Sequence, residues 1–93
     1  NESEVLRKEL VNSHWQVGTM RIILNRDGSV GQSRRFRNAT WKIVEPNLIV
    51  FTDKGEEISF LNITLHNGHR RGDAAWKDGT KRTAYRRGPP ASR

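Results

Sequence analysis

From residue 13 to residue 87 the chain alternates apolar and polar positions in short runs broken by glycine and acidic turns. Trp15 and Val17 share one face of the first run. Met20, Ile22 and Leu24 share a face of the second, with Arg21, Ile23 and Asn25 opposite. Period-two alternation is the mark of a half-buried β-strand, because successive side chains leave opposite faces of the pleated backbone. The same pattern predicts strands over 29–32, 40–44, 48–52, 58–66, 70–77 and 80–86, the seventh broken at Gly72. Trp41 and Ile43 share a face in the fourth; Leu61, Ile63 and Leu65 do so in the longest. The run over 48–52 is apolar on both faces, as expected of a strand covered on its outer side.

The turns between these runs carry their own chemistry. Asn25-Arg26-Asp27-Gly28, Asp53-Lys54-Gly55, Asn67-Gly68 and Asp78-Gly79 contain the residues that tolerate the positive φ of tight hairpins. In Glu45-Pro46-Asn47 the proline presets φ. Only residues 1–11 have helical spacing, with Val5, Leu6, Leu10 and Val11 on one face and Glu2 and Glu4 near the N-terminus. A repeat also suggests itself: Trp15 and Trp41 are 26 positions apart, and at that offset Ile22, Ile23, Leu24 and Asp27 meet Leu48, Ile49, Val50 and Asp53. That predicts a repeated β-meander unit, with Trp76 opening a partial last copy.

Hairpins without crossover helices make sequence neighbours into spatial neighbours. The predicted fold is therefore all-β: an antiparallel up-and-down meander of seven or eight strands, forming a small closed or partly open barrel with a short N-terminal helix. Residues 1–12 are expected to be a short helix or linker, 13–87 a single domain and 88–93 a disordered tail. The predicted core comprises Val17, Met20, Ile22, Leu24, Trp41, Ile43, Leu48, Val50, Leu61, Ile63 and Leu65.

Composition narrows the picture. At 93 residues, 33% of them hydrophobic, the chain has room for one thin core. The absence of cysteine removes disulfides and Cys-based zinc sites, and leans towards a reducing, cytoplasmic compartment without excluding secretion. No apolar run approaches the roughly 18 residues of a membrane-spanning helix, so no membrane insertion is expected. Seventeen Lys and Arg against ten Asp and Glu give a net charge of +7. Such a surface suits polyanions, or serves solubility alone.

Trp15 near the start of the first strand, Trp41 and the repeated acidic Gly turns give the region 13–87 a resemblance to calycin-type barrels, avidin-like and lipocalin-like. It also resembles β-rich accessory domains of bacterial carbohydrate-active proteins. The likeness is one of architecture. The Gly-x-Trp start of lipocalins is absent, Trp15 following Ser13 and His14, and no binding residue is carried over. The resemblance implies a cavity or open barrel end that accommodates a small ligand.

The candidate chemistry lies in arginine and tryptophan. Arg34, Arg35 and Arg37 form one basic patch around Phe36; Arg70 and Arg71, and Lys81 and Arg82 with Arg86 and Arg87, form others. Guanidinium groups suit bidentate contacts to phosphate, sulfate or carboxylate, and interleaved Phe36 and Tyr85 suit single-stranded nucleic acid. Trp15 and Trp41 share faces with core residues, whereas Trp76 is freer to stack on a sugar. The candidate ligand-binding residues are Trp76, Arg70, Arg71, Lys81, Arg82, Tyr85 and Arg86, with all six C-terminal cations expected on one basic face. His66 and His69 flank a turn near Asp73 but lack a well-spaced third ligand, so neither a metal nor another cofactor is expected. Arg71-Gly72-Asp73 spells an integrin-type tripeptide, a pattern too short to carry weight. No nucleophile elbow or phosphate-cradling loop is present, and no catalytic residue is assigned. The expectation is a non-catalytic binding module, an accessory domain recognising a small polar or carbohydrate-like ligand. The alternatives are a polyanion binder for nucleic acid or acidic polysaccharide, and a protein–protein interaction domain.

Overall fold

The computed structural model describes residues 2–45, 47–66 and 69–87, and all side chains among these except those of residues 2, 3, 65, 66 and 69. Helix α1 (Glu2–Leu10) precedes eight strands: β1 (Ser13–Val17), β2 (Met20–Leu24), β3 (Val30–Gly31), β4 (Thr40–Glu45), β5 (Leu48–Asp53), β6 (Glu56–His66), β7 (His69–Trp76) and β8 (Lys81–Arg86). All pair antiparallel in one sheet of order β3-β2-β1-β8-β7-β6-β5-β4. The two ends of that sheet meet through a bridge between Ser29 and Thr40, beside which Trp41 N–H donates to the Gly28 carbonyl at 2.8 Å. The result is the predicted up-and-down meander, wound into a nearly closed barrel with a thin seam between β3 and β4.

Turn chemistry pins the hairpins. Gly28, Gly55 and Gly79 all have φ between 82° and 94°, the left-handed region that costs glycine nothing. The Asp27 carboxylate accepts from the Ser29 N–H at 2.9 Å and the Ser29 hydroxyl at 2.6 Å, and Asp78 accepts from the Thr80 N–H at 2.9 Å. These bonds hold both carboxyls below their ordinary pKa: at Asp27 the Ser29 hydroxyl is the main cause, at Asp78 the Thr80 N–H. The helix ends at Asn12, whose left-handed φ of 64° turns the chain so that its N–H meets the Leu24 carbonyl.

The interior is filled by side chains from every strand and from two elements outside the sheet. Trp15, Ile22, Leu24, Trp41, Ile49, Phe51, Leu61, Ile63, Ala74, Trp76 and Ala84 face inward. Leu6 and Leu10 of α1 close one end, and Val11 packs against the cluster. Val5 is exposed, contrary to the predicted face, because a stripe through Leu6, Leu10 and Val11 leaves it on the outer side. Phe36, placed by sequence in a basic connection, is fully buried and stacks on Phe51 at 4.7 Å and Trp76 at 6.3 Å.

Other sequence expectations need correction. In β5 it is Ile49 and Phe51 that enter the core; Leu48 and Val50 take the outer face, where Val50, with register partners Lys42 and Phe60, is nevertheless buried. Met20 and Ile43 are only partly buried against the core. Leu65 falls among the undescribed side chains, and the Asn67-Gly68 turn and residues 88–93 lie outside the described residues. The third strand shrinks to Val30–Gly31. β7 runs unbroken through Gly72, which faces the core where an added Cβ would lie 2.7 Å from a Leu61 methyl. Glycine there is a packing requirement, not a strand break.

The 26-residue repeat does not become a structural repeat. Trp15 lies across from Ile22, but Trp41 lies across from Phe51, and a register irregularity separates Ile43 from Glu45 in β4. At the repeat offset Ile22 is inside while its match Leu48 is outside. With a side-chain period of two, any odd slip exchanges the two faces.

Candidate functional site

Three indole N–H groups test how well the interior is satisfied. Trp15 Nε1 donates to the Ser13 hydroxyl at 2.9 Å, which in turn donates to the Leu10 carbonyl at 2.5 Å, tying helix to barrel. Trp41 Nε1 donates to the Asn25 carbonyl at 2.8 Å. Trp76 Nε1 is buried and has no hydrogen-bond partner among the described residues. A buried donor without an acceptor costs about 1–3 kcal/mol, so it marks a place where an acceptor belongs.

Trp76 lines a hollow of about 170 Å³ at the barrel end opposite α1. The β1–β2 turn contributes Val17, Thr19 and Met20, the β7–β8 turn contributes Thr80 and Arg82, and the connection before β4 contributes Arg35. Anchoring of the neighbouring Phe36 in the core fixes this connection, and the Arg35 guanidinium lies 5.0 Å from the Trp76 ring centre in a cation–π contact. Arg82 crosses Gly18, where an added Cβ would meet its stem at 3.2 Å, and one of its guanidinium nitrogens donates to the Lys81 carbonyl at 2.7 Å. The positive charge of Arg35 also contributes to the lowered pKa of Asp78. Arg35, Arg82, Thr19 and Thr80 thus line one small mouth together with Trp76, whose indole N–H is buried.

Sheet alternation scatters the other predicted site residues. Arg70 and Arg86 lie at the helix end: Arg70 pairs with the Glu9 carboxylate at 2.8 Å and Arg86 donates to the Glu9 carbonyl at 3.0 Å. Arg71, Tyr85 and Lys81 point outward, with Arg71 5.9 Å from the Tyr85 ring centre. Arg34 and Arg37 are exposed on the connection that carries Arg35. The six C-terminal cations thus do not share one face, because neighbours along a strand take opposite sides. Phe36 is core and interleaves with no surface arginine.

Sequence reasoning missed Thr19, Met20 and Thr80 of the mouth. The signal for them was the antiparallel pairing of β1 with β8, which brings the Gly18-Thr19 and Asp78-Gly79 turns to the same end. The Arg71-Gly72-Asp73 tripeptide lies within β7 with its glycine buried. Among the described residues no group of three or more His, Asp or Glu is placed to hold a metal ion, and the His66 and His69 side chains lie outside them. No described helix is long and apolar enough to cross a membrane. No protein-family model, curated protein or solved structure matches the chain.

Proposed function

We propose that the protein is a non-catalytic binding module that takes a small polar, sugar-like ligand at the barrel mouth. The observation that carries this reading is a small mouth lined by Arg35, Arg82 and Trp76, whose buried N–H has no acceptor among the described residues. A ligand hydroxyl or carboxylate oxygen supplies the acceptor that the fold withholds, and the Trp76 ring offers an apolar face to a pyranose. At about 170 Å³ the mouth is smaller than the roughly 300–1,000 Å³ of drug-sized pockets, which suits one sugar residue. Arg35 covers the indole, so binding requires it to move aside, and its guanidinium then becomes a second contact to an acidic group. In this reading the barrel works in the manner that its calycin resemblance implies, holding its ligand at an end.

Tryptophan emission followed during titration with glucuronate and with glucose tests the reading. The wild type is expected to respond, and to glucuronate more strongly. Trp76→Phe keeps a ring but loses the donor, and is expected to weaken binding about tenfold, the worth of one hydrogen bond. Indifference of both emission and melting temperature to either sugar at millimolar concentration refutes the proposal.

A further inference from the structure

The barrel has a second surface whose chemistry differs from that of the mouth. On the outer face of β7, β8, β1 and β2 the register aligns Arg71, Tyr85, Gln16 and Arg21 in a single cross-strand row. Strand neighbours lie about 4.8 Å apart, so the two arginines stand roughly 14 Å apart with Tyr85 between them. Tyr85 is 54% exposed, an unusual place for a large ring in the middle of a sheet. The Arg71 guanidinium, 5.9 Å from its ring centre, shares that exposed surface.

Charge on this face is one-sided. Arg21, Arg71, Lys81 and Arg87 are exposed there, and among the described residues of these strands the sole acid is Asp73. Neither Arg21 nor Arg71 enters an ion pair among the described residues. Two positions along β8 from Tyr85, Thr83 joins Asp73, Ala74, Ala75, Lys81 and Arg82 around an open depression of about 630 Å³. On the outer parity, Ala75 and Thr83 leave room for a flat group beside the ring, and Lys81 stands at the edge of the depression.

We infer that this outer face binds single-stranded nucleic acid, with one base stacked on Tyr85, phosphates on Arg71 and Arg21, and the next base in the depression. Positive charge alone would serve an acidic polysaccharide equally. The exposed ring, flanked at both ends of its row by guanidinium groups, decides for nucleic acid, because a stacking platform set in a basic track accepts any unpaired base. A duplex keeps its bases stacked on one another and offers Tyr85 nothing. The inference does not rest on the barrel mouth: Arg35 and Trp76 take no part, and Arg82, which borders both hollows, is given no role in it.

The test is fluorescence anisotropy with a short labelled oligothymidylate over a range of salt concentrations. The wild type is expected to bind it more tightly than a duplex of equal length. Tyr85→Ala should weaken binding about 5- to 150-fold, while Tyr85→Phe retains it. Arg71→Gln should reduce the slope of log K against log salt by about 0.7, the share of one phosphate on a single strand. Both positions are exposed on the outer face, and unchanged far-UV circular dichroism shows that the barrel persists. Equal binding of duplex and single strand, or of wild type and Tyr85→Ala, overturns the inference. So does heparin binding that exceeds oligothymidylate binding and ignores Tyr85. Repeating the glucuronate titration on Tyr85→Ala keeps the two surfaces apart, since mouth binding should be unaltered there.

Discussion

Gly72 illustrates how a single missing methyl group can specify a barrel interior. Its inward position faces Leu61, Ile63 and Ala84, and a Cβ there would come within 2.7 Å, 3.3 Å and 3.2 Å of their atoms. Small residues at 72, 74 and 84 offset the large rings of Trp15, Phe51 and Trp76 that fill the same narrow interior. Leu61 is fully buried and cannot swing its methyl aside without displacing its own neighbours. Gly72→Ala is therefore expected to destabilise by about 1–3 kcal/mol in urea unfolding, despite the entropy an alanine removes from the unfolded chain. The turn carboxylates give a residue-scale effect of a different kind. Asp27 and Asp78 have folded pKa values below the ordinary 3.8, so their contribution is complete above that value and is lost as the pH falls through the lowered one. The double replacement Asp27→Asn and Asp78→Asn should flatten the acid limb of the stability profile below the ordinary carboxylate pKa. An acid limb identical to that of the wild type would show that these turns hold no titrating stability.

At the level of elements, the connection over 32–39 joins fold to site. Phe36 anchors it in the core, stacked on Phe51 and Trp76, and this places Arg35 over the indole at the mouth. Phe36→Ala should cost about 3–5 kcal/mol by urea unfolding and also release Arg35, raising the exposure of Trp76 to an added quencher. Loss of stability with no change in quenching would separate the anchor from the site. The sequence made most strands legible, since Trp15, Ile22, Leu24, Leu61 and Ile63 alternate cleanly and the turns at Asp27, Asp53 and Asp78 are punctuated by glycine. It did not disclose which side of β5 is interior: Leu48 to Phe51 is apolar at every position, and period alone cannot orient such a strand. Nor did it reveal Phe36 as core, because the arginines around it read as a solvated loop. Only the shape of the barrel end decides that the ring turns inward.

Across the whole molecule, closure and alternation together explain where the charge lies. Once β1 pairs with β8, the parity of each strand assigns Arg70 and Arg86 to the helix end, Arg82 to the mouth, and Arg71, Lys81 and Tyr85 to the outside. The clusters read along the chain were real as neighbours in sequence, but a pleated sheet parts such neighbours and assembles new groups across strands. Trp76 and Arg82 of the mouth were among the predicted residues, while Arg35 came from the secondary patch. Their meeting depended on tertiary closure that no local pattern encodes.

That closure also fixes where β1 lies relative to the rest of the sheet. In most meanders the first and last strands are the outermost. Here the order β3-β2-β1-β8-β7-β6-β5-β4 puts them side by side in the interior of the sheet, and the seam falls between strands from the middle of the chain. Residues 13–31 and 40–86 are thus two locally wound pieces, of three and five strands, that share one long-range ladder in which Gln16 meets Tyr85. Joining them carries the loop-closure entropy of nearly the whole domain, whereas every other full ladder is made between strands adjacent in sequence. A chain rejoined at its present ends and opened within 32–39 would make all its ladders local, and the link across the seam would become the only one that needs the full length of the polypeptide.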